Sequence, residues 1–236
     1  GVSHAISDVV VAGGTPRVVT VALLLPADST LEFANGVMLG AANAAERYGA
    51  SIVSGDTKQN PKFAMVATVV GTSSREKCIR RSGAEPGDVL VVTGFLGSMF
   101  LGMIAIKQAI PHSNRAQHIV QQAIIEQRPP FTLGRAIADA GLPHAGTDIS
   151  DGLPGAIHAI CDSSDCGALV DELMFPIHPD LDDLALASGL PPLQLVTAGG
   201  DWQFLYAVPP ALLPTLMNLA ASHEANLSII GAFTKS

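Results

Sequence analysis

The sequence predicts a mixed α/β fold in two parts, on three observations. Short β-branched runs such as Val18 to Leu25 alternate with stretches whose apolar residues recur at helical spacing. The composition, 48% hydrophobic and only 14% charged over 236 residues, suits one large domain or two small ones around real cores, and it excludes a disordered chain. A tight turn from Gly83 to Asp88, with Pro86-Gly87 inside it, is where the chain is expected to leave one layer and enter another.

Taken in order, Ser3 to Val11 carries an apolar stripe at helical spacing and stops at Gly13-Gly14-Thr15-Pro16, which predicts a short helix and a turn. Val18 to Leu25, ending at Pro26, reads as a strand. Leu31, Phe33, Val37, Met38, Ala41, Ala45 and Tyr48 then mark a helix closed by Gly49. Ser51 to Val53 and Phe63 to Val70 read as strands flanking a polar turn from Gly55 to Pro61, and Val89 to Thr93 as another strand. Helices are expected near Gly97 to Ile110, Ala116 to Glu126 and Leu133 to Ala140, then a strand entering Asp148 and a helix from Gly152 to Cys161. The end of the chain predicts a strand over Phe204 to Val208, a helix from Pro210 to His223 and a strand from Leu227 to Phe233, with Trp202 sharing a strand with Phe204.

Charge and length narrow the function. A formal charge of −8 argues against nucleic acid as a partner, because phosphate-backbone binding needs a basic face. An anionic ligand would have to be held through metal ions. No apolar run approaches the ~20 residues of a membrane span. Three cysteines, Cys78, Cys161 and Cys166, cannot close a disulfide framework, and Gly1 to Ala5 has neither an initiator Met nor signal-peptide regions. The expectation is a cytoplasmic protein whose sequence is truncated at its N-terminus.

The strongest local signal is Thr147-Asp148-Ile149-Ser150-Asp151-Gly152, two carboxylates three apart at a strand-to-helix junction. Mg²⁺ takes one or two carboxylates plus phosphate oxygens, and the N–H groups of a helix start favour the same anions. Ser150 or Asp151 could equally be a plain helix cap. Ser54-Gly55-Asp56-Thr57 offers a second carboxylate beside a glycine that lets a phosphate approach, although the same residues also make an ordinary turn. Asp8, on the first helix, is a third, and Arg81 is a candidate cation for phosphoryl transfer or merely a surface residue beside Arg80. No Walker loop occurs. His158, Cys161 and Cys166 lack the fourth ligand zinc prefers and read as packing residues.

The order of these motifs resembles thiamine-monophosphate kinase, a family within the aminoimidazole ribonucleotide synthase-related, PurM-like superfamily. The series runs from Ser7-Asp8 and Gly13-Gly14-Thr15-Pro16 through Ser54-Gly55-Asp56-Thr57 and Arg81-Ser82-Gly83-Ala84-Glu85-Pro86-Gly87-Asp88. It continues with Asp148-Ile149-Ser150-Asp151-Gly152 and ends at Gly199-Gly200-Asp201-Trp202. The resemblance implies residues 1–84 as an N-terminally truncated ATP- and Mg-binding domain that forms a β-barrel across a homodimer, and residues 85–236 as a C-terminal α/β domain. It implies Asp8, Asp56, Asp148 and Asp151 as Mg²⁺ ligands, with Asp148 and Asp151 catalytic, and Gly55, Arg81 and Ser150 as ATP contacts. The implied reaction phosphorylates thiamine monophosphate, a small-molecule acceptor, to the diphosphate. Alternatives are a related ATP-dependent enzyme with another acceptor, or a silent nucleotide-binding paralogue.

The sequence departs from the family at three places. The family's N-terminal Gly-Asp-Asp segment does not precede Gly1. Ser54 replaces the first glycine of the family's Gly-Gly-Asp. Where the family has Gly-Gly-Glu-Asp-Tyr-Glu, Gly200 stands at the substrate-contacting Glu, Trp202 at the Tyr and Gln203 at the second Glu, so the acceptor pocket is expected to differ.

Overall fold

The computed structural model describes all residues from Gly1 to Ser236, arranged around two sheets that share no strand. The first half contains helix α1 (Val2–Val11), strand β1 (Thr15–Leu25), helix α2 (Leu31–Arg47), and strands β2 (Ser51–Gln59) and β3 (Ala64–Thr72). Its sheet has the order β2-β1-β3, with β1 parallel to β2 and antiparallel to β3. Pro26 ends β1, and Thr30 starts α2 by accepting a hydrogen bond from the Phe33 amide at 3.1 Å.

One expectation fails here. The segment from Gly55 to Gln59 is not a turn but the second half of β2, laddered against Val21 to Leu25. Its polar side chains lie on an exposed strand, and the parallel partner β1 supplies the backbone hydrogen bonds that a turn would otherwise have had to make internally.

The second half contains β4 (Val89–Thr93), α3 (Ser98–Gln108), α4 (Asn114–Ile125), α5 (Phe131–Asp139), β5 (Ala145–Asp148), α6 (Leu153–Ser164) and β6 (Gly167–Val170). It continues with α7 (Asp182–Ser188), α8 (Pro192–Thr197), β7 (Phe204–Val208), α9 (Leu213–Ser222) and β8 (Leu227–Thr234). The short elements β6, α7 and α8 lie in a stretch to which the sequence pattern assigns nothing. The five strands form an antiparallel sheet of order β5-β7-β4-β8-β6.

This sheet is covered on both faces, which is why β4 and β7 read as unbroken apolar runs. Val91, Phe204, Tyr206 and Val208 face one core, while Leu90, Val92, Leu205 and Ala207 face the other. The first of these cores also takes in Ile6, Val10, Val19, Val21 and Leu23, so the two sheets are joined through α1 by continuous packing. The smaller sheet is open, and Val66 and Val70 on β3 are 57% and 56% exposed. No helix is long and apolar enough to cross a membrane.

Candidate metal–nucleotide site and adjoining cavity

The antiparallel pairing of β5 with β7 sets Asp148 opposite Phe204, so β5 ends where β7 begins. The chain beyond it is clamped from the other side of that junction. The Ile149 amide donates to the Gln203 carbonyl at 2.8 Å, and the Gly200 amide donates to the Ser150 carbonyl at 3.0 Å. Gly152 turns with φ 88°, and a side chain there would meet the Thr197 carbonyl oxygen at 2.1 Å. No L-residue fits that turn without moving it. The cap at the start of α6 is Gly152, with no side-chain cap bond, so neither Ser150 nor Asp151 is used up as a helix cap.

Within this rigid frame Asp148 is buried, and its Oδ2 has no hydrogen-bond partner in the protein. A buried carboxylate oxygen without a donor is costly unless a cation meets it. Asp151 is exposed at the mouth of the same loop, with Ser150 half-buried between the two.

Two further groups reach this point from other elements. Arg81 donates from Nε to the Thr147 hydroxyl at 3.2 Å. Asp8 arrives on α1, and its carboxyl is held above its ordinary range by burial first, then by repulsion from Asp148 and Asp151, against the pull of Arg81. Asp8 therefore lies within electrostatic reach of Asp148, Asp151 and Arg81, a group of three acids and one base. No three Asp, Glu, His or Cys side chains stand close enough to form a complete metal cage. Such a set fits a hard divalent ion that takes its remaining ligands from phosphate and water, as Mg²⁺ commonly does.

Asp56 and Gly55 do not join this group within one chain. Asp56 lies opposite Ala22, on the sheet face turned away from the buried Val19, Val21 and Leu23. Its Oδ1 accepts from Lys58 Nζ at 3.1 Å and from the Thr57 amide at 2.8 Å. The Lys58 contact, followed by the Thr57 amide, holds its carboxyl below the ordinary range. Gly55 has a packing reason to be glycine, since a side chain would meet the Val21 carbonyl oxygen at 2.3 Å.

Beside the clamped loop lies a cavity of about 330 Å³, lined by Gly94, Phe95, Ser98, Ile119, Gln122, Ala123, Glu126, Gln127, Arg128, His178, Gly200, Asp201 and Gln203. Its framework is polar. Asp201 accepts from the Gly97 and Met99 amides at 2.6 and 3.2 Å, holding the start of α3, while burial pushes its carboxyl up to about 6 against those bonds. Gln203 accepts from the Thr93 hydroxyl at 2.9 Å. Trp202 does not share the strand with Phe204: it adopts φ 55° before β7 starts, with its ring against His4. Sequence reasoning passed over Gln127, His4 and the role of Asp201, because their partners are 73 to 123 residues away and no local pattern marks them. The glycine pair before Asp201 was the one available signal.

His158, Cys161 and Cys166 line a separate apolar recess beside α6, with burial first and the neighbouring Cys166 second pushing the Cys161 thiol up to about 11.

Comparison with known proteins matches this architecture in both parts. Residues 1–73 match the model for the AIR synthase related protein, N-terminal domain, and residues 85–236 match that for its C-terminal domain. The chain belongs to the AIR synthase related family. Within that family it is similar to thiamine-monophosphate kinase of Halobacterium salinarum, 30% identical over 233 residues, covering 99% of this chain and 75% of the relative. The enzyme of the same name from Methanopyrus kandleri is 29% identical over 88% of this chain, which spans 65% of that relative's length. The crystal structure of thiamine-monophosphate kinase from Stenotrophomonas maltophilia superposes with a TM-score of 0.87 at 24% identity, covering 98% of this chain and 74% of that one. The family's two-part PurM-like fold is thus this chain's fold.

Proposed function

We propose that this chain is an ATP- and Mg²⁺-dependent phosphotransferase that converts thiamine monophosphate to thiamine diphosphate. The observation that carries the reading is the buried, unpartnered Asp148 Oδ2 beside Asp8, Asp151 and Arg81, in a chain whose relatives bear that enzyme's name. Asp8, Asp148 and Asp151 would hold Mg²⁺ together with phosphate and water ligands rather than as one three-carboxylate cage, and the ion would offset repulsion between two phosphate-bearing substrates. Arg81 and Ser150 contact the nucleotide. An oxygen of the acceptor phosphate attacks the γ-phosphorus of ATP, the bond from that phosphorus to the β–γ bridging oxygen breaks, and ADP leaves with the electron pair. No protein nucleophile is needed, because the work is positioning and charge neutralisation.

The domain division falls between residues 84 and 85, after the last of the linking segment and before β4. A homodimer accounts for the open face of the small sheet, where Asp56, Ala22 and Val66 lie in a row across β2, β1 and β3. Joining two such faces closes a barrel and carries Asp56 and Gly55 toward the second copy's nucleotide site. If Asp56 acts across the dimer, mixing Asp56→Asn with Asp148→Asn chains recovers activity that neither has alone. If it acts within its own chain, the mixture stays inactive. Three unpaired cysteines suit a reducing cytoplasm.

The test of the reaction is ADP release from ATP with Mg²⁺, comparing thiamine monophosphate with aminoimidazole-pathway acceptors and with none. Release dependent on thiamine monophosphate is expected. Release only with another acceptor moves the function to a related enzyme, a reading favoured by the bare backbone of Gly200 where the family has a Glu. No release at all favours a silent nucleotide-binding paralogue.

A further inference from the structure

The first helix is tied to the cavity wall by contacts that the reaction itself does not require. The His4 ring stacks on Trp202 with centroids 3.6 Å apart and planes at 12°. Its Nε2 lies 2.6 Å from Gln127 Oε1, and Gln127 Nε2 donates to the Gly200 carbonyl at 2.8 Å. The bonds fix their own polarity. The Gly200 carbonyl can only accept, so Gln127 turns its NH₂ there and its oxygen to His4, whose Nε2 must then carry the proton.

The tie adds a hold on the Gly200 carbonyl and the Trp202 ring, which the backbone bond to Ser150 and the Asp201 bonds to α3 do not reach. Trp202 sits at φ 55° and Gly200 at φ 110°, and a bulky residue in the left-handed region stays there only when its surroundings enforce it. Gly200 carries no side chain, so the wall at that point is backbone, with its amide bonded to Ser150 and its carbonyl to Gln127. Gln127 and Gly200 both line the cavity. His4 and Asp8 are four residues apart on α1, one helical turn on the same side. The helix that brings Asp8 to the carboxylate cluster thus also grips the cavity wall.

We propose that His4 is a positioning residue for the phosphate acceptor, clamping Trp202 and Gln127 so that the Gly200 wall is held in register with the metal-side helix. This rests on the reading above, in which the chain phosphorylates a small acceptor and Asp8 holds the metal, and it places the acceptor in the cavity because Gly200, which stands at the family's substrate-contacting Glu, lines it. The clamp fixes the cavity wall at position 200, where the family has its substrate-contacting Glu and this chain has only backbone.

The test uses Trp202 as its own reporter, since it is the chain's single tryptophan. Full-length wild type, His4→Phe and His4→Ala are compared by tryptophan emission without ligand and by steady-state kinetics with thiamine monophosphate and Mg–ATP. His4→Ala should red-shift the emission and raise KM for the acceptor about tenfold, with kcat and KM for ATP within about twofold, the pattern of lost uniform binding. His4→Phe keeps the stack without the hydrogen bond, so its emission should match wild type and its acceptor KM should fall between the two. Unchanged emission in His4→Ala overturns the clamp. Shifted emission with unchanged acceptor KM, or an equal loss in both substrates, overturns the positioning role alone. A wild-type chain without thiamine-monophosphate turnover overturns the reaction and the positioning role together, while the emission comparison still decides whether the clamp exists.

Discussion

Two glycine-and-carboxylate segments look alike in the sequence and are unlike in the molecule. Thr147 to Gly152 leaves the end of a central sheet, is clamped by two backbone bonds from the 200–203 segment, and buries a carboxylate oxygen with no partner. Ser54 to Thr57 runs through the middle of an edge strand, and its Asp56 is exposed and already satisfied by Lys58 and Thr57. What makes an acid a ligand candidate is therefore its unmet electrostatic demand rather than its motif. Asp148 has that demand within one chain; Asp56 does not.

The largest expected effect breaks the comparison on the Asp148 side. Asp148→Asn should lower Mg²⁺-dependent ADP release by about two orders of magnitude or more, the scale of losing a group that stabilises transition-state charge. It should leave the melting temperature unchanged or raised, since it removes a repulsive neighbour of Asp8 and breaks no hydrogen bond. A collapse in melting temperature would instead make Asp148 a structural group.

Next comes the clamp. Gly152→Ala forces a side chain into the Thr197 carbonyl at a positive φ and should cost about 1–3 kcal/mol by denaturant melts, with activity falling alongside. An undiminished midpoint would mean the loop is looser than its contacts imply.

A pH series tests the cavity side. Asp201, raised from 3.8 to about 6, binds more protons folded than unfolded between those values. Its contribution is present below 3.8 and lost as pH rises through about 6. The melting temperature of wild type minus that of Asp201→Asn should therefore decline from pH 4 to pH 7, and a flat difference would contradict the buried placement. The smallest effect is on Asp56→Asn, whose melting temperature should match wild type because its ion pair is exposed on both sides.

Legibility followed the range of the interaction. Helices α1 and α2, the core strands and the Asp148–Gly152 junction announce themselves through local periodicity and glycine placement, and they stand within a few residues of the expected bounds. The turn expected at Gly55 fails because polar residues mark an exposed strand as readily as a turn, and here a parallel neighbour holds the strand. Elements β6, α7 and α8 are too short to show a period. Local patterns mark Asp8, Arg81 and the Asp148 loop only separately, and the family resemblance alone groups them; their convergence depends on α1 packing between two sheets, and the His4–Trp202–Gln127 tie has no local trace at all.

The most direct test of the central claim is an equilibrium titration of ATP into wild type and Asp148→Asn, each with and without Mg²⁺. Mg²⁺ should tighten ATP binding to wild type, and this Mg²⁺ dependence should disappear in Asp148→Asn. The same Mg²⁺ dependence in both chains would contradict that claim.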